Sequence, residues 1–309
     1  MPNPRQQRIG RFTNDRAKER FLQAYDVAMR AWPQPRRELD VQTQFGTTHV
    51  HRYGPGQGTP IVLLHGATGN SSNWYPQVAV LGEHHPVYAV DTIDDPGRSV
   101  QQRVMTGAAD NAVWLDEVLA ALQLDTVHLV GMSYGGWLAL AQAVHRPARL
   151  ASITLLDPGG LEKVPIKFYV NIIVGAFATL APRRTRPWFA HRLANHALIE
   201  SAEQLAPVML AARTWRTNRP PARRFDDDEL RSIRTPVQLL LAGRSSLLHP
   251  EQAMSRAQEL IPAVQAEIVP GAGHGLSLER PALVNQRILE FVDTCGSNDS
   301  DPPRPTGQG

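Results

Sequence analysis

One cysteine, Cys295, stands in 309 residues, which excludes an intramolecular disulfide and any metal site built from several thiolates. Excess charge of one sign is also missing. The 32 basic and 29 acidic residues leave a formal net charge of +3, and the arginines are scattered along the chain. A nucleic-acid-binding face needs a continuous basic track, so nucleic acid is not an expected partner. Long apolar runs are absent as well: the most hydrophobic stretch, YVNIIVGAFATLAP, is too short to cross a bilayer. The N-terminal segment has basic residues but no apolar run after them, so it does not read as a secretory signal. The expectations are a cytoplasmic protein and no membrane partner.

Nucleotide-binding signatures are lacking too. ATGNSS has the composition of a phosphate-cradling loop but no lysine in P-loop spacing, and neither GPGQG nor GAGHG satisfies G-x-G-x-x-G. His49 and His51 fall on one side of a strand with no further ligands at matching places, so a half-exposed strand face is expected there rather than a metal pair. No cofactor and no metal are expected.

What is present is enough apolar sequence, 42% of residues, for one substantial α/β core with an insertion. Phe21, Leu22, Tyr25, Ala28, Met29 and Trp32 recur at helical spacing between residues 14 and 32, and Pro33 stops the pattern. ELDVQTQF and TTHVHRYG alternate around Gly46 as an antiparallel hairpin would. Short apolar runs then alternate with helical segments, the mark of parallel βαβ units: PIVLLHG, HPVYAVD, TVHLVGMS, LASITLLDP, TPVQLLLAG and AEIVPGAGH. The alternation stops between Pro158 and about Arg231, where helix-like stretches and Trp188 and Trp215 suit an inserted helical cap. The expected division is an N-terminal helical extension over 1–38, a core over 39–157 and 232–294, a cap over 158–231, and a disordered polar tail over 295–309.

Gly131-Met132-Ser133-Tyr134-Gly135 fits G-x-S-x-G directly between an apolar strand and a helix. A serine on so tight a turn leaves no room for side chains two residues away, and its hydroxyl projects at a helix N-terminus that favours negative charge. In LLHGATGNSSNW, the strand-end turn puts the Ala67 amide where it can converge with that of Tyr134 on a developing oxyanion. His65 in that turn reads as a loop-shaping residue. VPGAGHGLSLERP offers His274 as the base, on a glycine-flanked turn after the last strand.

At these motifs the chain resembles the α/β-hydrolase superfamily from about Val41 to Val292. YAVDTIDDPGRS, FDDDELRSIRTPVQLLLAG and GAGHGLSLERPALVNQRILEF look like its bacterial carboxylesterase-type branch. The resemblance implies a central, mostly parallel sheet flanked by helices, a helical cap inserted after the sixth strand, and a Ser-His-acid triad without metal or organic cofactor. One departure stands out. The turn after TPVQLLLAG, where the family commonly carries a carboxylate three residues past a glycine such as Gly243, holds Ser246. Asp226, Asp227, Asp228 and Glu229 read as a helix N-terminal cluster, and Glu251 is the nearby reserve. The preferred acid is Asp157, at the end of the strand expected beside the nucleophile strand, with Ser246 a vestige of the usual seat. Ser133, Asp157 and His274 with the Ala67 and Tyr134 amides would cleave an ester or related acyl bond of a small, largely apolar substrate through an acyl-enzyme. A lyase or cyclase reusing the same Ser and His, or a non-catalytic ligand-binding hydrolase fold, are the alternatives. Monomer and homo-oligomer are both compatible with the sequence.

Overall fold

The computed structural model describes residues 9–168, 170, 184, 185, 187, 188, 202–219 and 221–297. A nine-stranded sheet runs through them. Its main strands are β1 (Arg37–Thr43), β2 (Gly46–Tyr53), β3 (Ile61–Leu64), β4 (Val87–Val90), β5 (Val127–Met132), β6 (Leu150–Leu156), β7 (Val237–Ala242) and β8 (Val264–Val269). In space they lie in the order β8-β7-β6-β5-β3-β4-β2-β1, with the short strand Val100–Gln101 beside β2. All pairings from β4 to β8 are parallel, and β1, β2 and Val100–Gln101 pair antiparallel. This is the central, mostly parallel sheet that the resemblance to the α/β hydrolases implies.

The strands form as they do because they are buried on both faces, which calls for unbroken apolar runs rather than alternation. Every residue of IVLL in β3, VYAV in β4 and VQLLLA in β7 is buried. Within β3, Val62 and Leu64 join one core layer and Ile61 and Leu63 the other, as the two-residue period of a strand dictates. The first layer packs α3 (Ala108–Ala121), α4 (Tyr134–His145) and α7 (Pro250–Leu260) on one sheet face. The second packs α1 (Asp15–Ala28), α2 (Tyr75–His84) and α9 (Pro281–Ser297) on the other.

The N-terminal extension is part of this packing. Asn14 caps α1 by accepting from the Ala17 amide, and Phe21 and Tyr25 go into the core. Arg11–Phe12 pairs antiparallel with Trp215–Arg216, just after α5 (Ala202–Thr214), which itself packs on α1. β1 begins at Arg37, two residues ahead of the expected core boundary, and residues 1–8 lie outside the described residues.

Residues 171–183 and 189–201 of the expected cap are also outside them. Its return is described: Phe225 is fully buried and packs on Trp137 at 5.8 Å, so the chain has rejoined the core before residue 231. The acidic run opens α6 (Asp227–Ser232) as read from the sequence, with Asp226 and Glu229 in a reciprocal capping box. At the other end α9 continues to Ser297, three residues into the segment expected to be a tail. Residues 298–309 lie outside the described residues.

The expectation for His49 and His51 is corrected. They are 5% and 0% exposed, because α1 and Trp32 cover that side of β2. His51 Nε2 lies 2.7 Å from the Tyr25 hydroxyl, and His49 Nδ1 lies 2.6 Å from Asp40. Burial pushes His51 down to about 4, and likewise His128, whose Nδ1 is 2.8 Å from Ser152 Oγ. Both histidines are thus neutral in the folded chain, while in the unfolded chain each takes up a proton near pH 6.5. Native stability is fully present above that value and is lost as pH falls toward about 4. For His128 the loss is on the order of 3 kcal/mol. Thermal midpoints measured from pH 7 to about 4 should fall, and a flat profile would contradict the burial argument.

Among the described residues no helix is long and apolar enough to cross a membrane, and no group of three or more His, Cys, Asp or Glu side chains is placed to hold a metal ion.

Candidate active site

Ser133 stands between β5 and α4 with φ 54° and ψ −110°, a backbone region that costs a non-glycine residue about 1–3 kcal/mol. The turn is as crowded as the motif requires. A Cβ on Gly131 would meet the Gly135 carbonyl oxygen at 2.2 Å, and one on Gly135 would meet that of Leu64 at 2.0 Å. The turn is held from both sides, the Ser133 amide donating to Leu156 O at 3.0 Å and the Gly159 amide to Ser133 O at 2.9 Å.

The neighbouring strand supplies the acid position. β6 pairs with β5 in a register that sets Leu156 opposite Met132, so Asp157 and Ser133 are the next residue of each chain. Asp157 is fully buried with φ 44°. Its Oδ1 accepts from the Ala242 amide at 3.1 Å, and its Oδ2 accepts from Ser245 Oγ at 2.6 Å and lies 2.6 Å from His274 Nδ1. His274 Nε2 is 3.0 Å from Ser133 Oγ. A buried carboxylate can only accept, so Nδ1 carries the proton and Nε2 is left to accept from the serine. The imidazole turn is braced by Arg244, whose amide donates to Ala272 O at 2.8 Å, and by Glu279 of the short helix α8 (Leu276–Glu279), which accepts from the Gly273 amide at 2.6 Å.

The structure therefore brings Ser133, His274 and Asp157 into one hydrogen-bonded line. The hydroxyl that meets Asp157 is Ser245's, and not that of Ser246, which the sequence pattern singles out. Glu251 instead lies exposed in the first turn of α7.

The two residues expected to supply the oxyanion amides adjoin the nucleophile turn, Tyr134 in sequence and Ala67 as the neighbour of Gly66. Tyr134 is the first residue of α4, and Gly66 packs so closely that a Cβ on it would be 3.4 Å from Ser133 Cβ. His65 shapes the turn, as its sequence context implies: Nδ1–H donates to Gly66 O at 2.8 Å and Nε2 accepts from the Thr92 amide at 3.1 Å.

Three features near the site were not read from the sequence. Phe168 of the cap meets the His274 ring edge-on at 5.7 Å. Asp94 and Asp95, in the loop after β4, are buried, and Asp94 accepts from the Tyr134 hydroxyl at 2.6 Å. Arg219, on the return from the cap, pairs with Asp95 at 2.5 Å. The run DTIDDPG after β4 is the only local signal for the two carboxylates, and nothing local marks Arg219. The two tryptophans expected of the cap are placed away from these contacts: Trp215 packs on Phe12 at 4.9 Å, and Trp188 is 64% exposed.

Residues 61–287 match the model of the alpha/beta hydrolase family. The carboxylesterase YbfK of Bacillus subtilis is 33% identical over 285 residues, which cover 90% of this chain and 94% of that protein. Its crystal structure aligns with a TM-score of 0.78 at 32% identity, over 90% of this chain and 98% of the other. The crystal structure of the naproxen esterase (carboxylesterase NP) of Bacillus subtilis aligns with a TM-score of 0.77 at 31% identity, over 88% of this chain and 97% of that one.

Proposed function

The chain belongs to the α/β-hydrolase family, in its carboxylesterase-like branch, and is a hydrolase acting on ester bonds; from that footing we propose a cofactor-independent serine carboxylesterase that works through an acyl-enzyme on small, largely apolar esters. The observation that supports it is the line from Asp157 Oδ2 to His274 and from His274 Nε2 to Ser133 Oγ, at 2.6 and 3.0 Å. Ser133 Oγ bonds to the ester carbonyl carbon as its proton passes to Nε2. The carbonyl oxygen takes the negative charge and is met by the Ala67 and Tyr134 amides. When the C–O bond to the alcohol breaks, His274 returns the proton to the departing oxygen. Water then attacks the acyl-enzyme by the same path reversed, releasing the acid and freeing Ser133. Asp157 keeps the imidazole in the productive tautomer and stabilises the imidazolium.

An acyl-enzyme that breaks down more slowly than it forms gives a burst. Rapid mixing with a p-nitrophenyl ester should release about one equivalent of nitrophenolate per active site before steady turnover, provided deacylation is the slower step. Hydrolysis of that ester must also disappear when Ser133 is blocked by a fluorophosphonate. Ester turnover that survives complete blocking would refute the acyl-enzyme route, whereas an absence of any ester turnover would favour a lyase-type or binding role for the same residues.

The ring contact with His274 sets Phe168, of the expected cap, beside the reacting groups. Phe168→Ala should move preference toward bulkier acyl groups, changing the kcat/KM ratio of long to short esters by about tenfold, since each methylene in an apolar pocket is worth about 1–3 kcal/mol. An unchanged ratio would show that the ring does not border the acyl pocket.

A further inference from the structure

Two buried carboxylates beside a site that must stabilise an oxyanion pose an electrostatic problem. Asp94 and Asp95 are 3% and 1% exposed. Burial pushes Asp94 above the usual carboxylate range, a rise that the Arg219 charge limits. The Arg219 side chain, 14% exposed, holds Asp95 at 2.5 Å and lies over the Tyr134 ring, 4.1 Å from its centroid. Arg219 therefore offsets negative charge that would otherwise face the forming oxyanion, in surroundings where screening by water is weak.

The contacts of this guanidinium divide between the two oxyanion donors. On one side Asp95 also accepts from the amide of Thr68 at 3.2 Å, and Thr68 has φ 62° directly after Ala67. On the other side the Tyr134 ring is fixed by the guanidinium against its face and by Asp94 on its hydroxyl. A ring over a cation is a directional contact, so the arginine bears on the orientation of the Tyr134 side chain at the first turn of α4. The link also crosses a long sequence separation, because Arg219 comes from the segment returning from the cap.

We propose that Arg219 is a positioning residue for the esterase reaction: through Asp95 and Thr68 it fixes the turn carrying the Ala67 amide, and through the Tyr134 side chain it fixes the residue carrying the second amide. The inference rests on the esterase reading above. It assigns Arg219 no contact with the substrate. It makes the end of the cap an element of the oxyanion site, so that seating of the cap and readiness for the tetrahedral intermediate are coupled.

The test compares Arg219→Gln and Arg219→Lys with the wild type on a short p-nitrophenyl ester, active enzyme being counted by fluorophosphonate titration. Inhibition by an alkyl boronic acid, which forms a tetrahedral adduct on the serine, is measured in parallel. The Gln variant should lose about 10- to 100-fold in kcat with KM within about threefold, less than the loss of a whole donor would cost. Its boronic acid Ki should rise by about the factor by which kcat/KM falls, as expected of a contact realised in the transition state. Arg219→Lys keeps the charge but not the planar fork, and should lose about three- to tenfold. Where the Gln variant does not fold, the Lys variant decides by the same two readouts. A kcat within about twofold of wild type and an unchanged boronic acid Ki, whatever the change in Tm, would make Arg219 a strut between cap and core and overturn the proposal. A wild type that neither turns over esters nor labels at Ser133 overturns the esterase reading together with this one. Normal wild-type turnover with indifferent variants overturns this one alone.

Discussion

Ser133→Ala should abolish labelling by a fluorophosphonate and lower kcat by about six orders of magnitude, the loss seen when a serine hydrolase is left with only its oxyanion site and binding energy. The expectation follows from where the hydroxyl stands. Ser133 Oγ is 3.0 Å from the base, on a turn whose neighbours leave no room for a substitute. Removing one oxygen leaves the backbone bonds to Leu156 and Gly159 in place, so the fold should be kept. Near-infrared or gel detection of the label, with Tm recorded for the same samples, separates the two effects. Undiminished labelling of the folded Ala variant would sink the nucleophile assignment.

Asp157→Asn should lower kcat by about four orders of magnitude while the chain still folds. The amide has no free choice of orientation. Oδ1 accepts from the Ala242 N–H, so the amide oxygen must stay there and the NH2 must take the place of Oδ2. An NH2 facing His274 forces Nδ1 to accept and moves the ring proton to Nε2, where it faces Ser133 and blocks proton uptake. Steady-state kinetics on samples matched for active-site titre and Tm would check this. A rate near wild type would remove Asp157 from the mechanism. Any attempt to relocate the acid should begin at position 245, because Ser245 Oγ already touches Oδ2 at 2.6 Å.

Much of this arrangement was legible in the sequence, for identifiable reasons. Strands buried on both faces must be nearly all apolar, so IVLL, VYAV and VQLLLA stand out from the surrounding helices. GMSYG is legible because close packing, rather than chemistry alone, dictates its glycines. The position of Asp157 followed from strand adjacency, which parallel α/β connections restrict to few choices. Burial of His49 and His51 was not legible, because it depends on α1 returning over β2 from outside the sheet. Ser245 was passed over for its neighbour because a turn's backbone decides which of two adjacent hydroxyls points inward. Arg219 had no local signature at all: its partners, Asp94, Asp95 and Tyr134, are more than 80 residues away.

Seating the acid at the end of β6 also changes which parts of the chain are free to vary. In this arrangement Ser133 and Asp157 each follow the last rung of one ladder, Met132 opposite Leu156, on two neighbouring strands. The loop from Arg244 to Pro250 supplies a hydroxyl to Asp157 and nothing that must carry charge. Position 246 is then released from carrying a carboxylate, whereas Leu247 and Leu248 stay constrained, being buried and donating their amides to Ser245 Oγ at 3.1 and 3.3 Å. The segment just after Asp157 is correspondingly intolerant, since a Cβ on Gly136 would strike Pro158 at 2.6 Å. Divergence of substrate range should therefore accumulate in the cap, while the β5–β6 edge stays as it is.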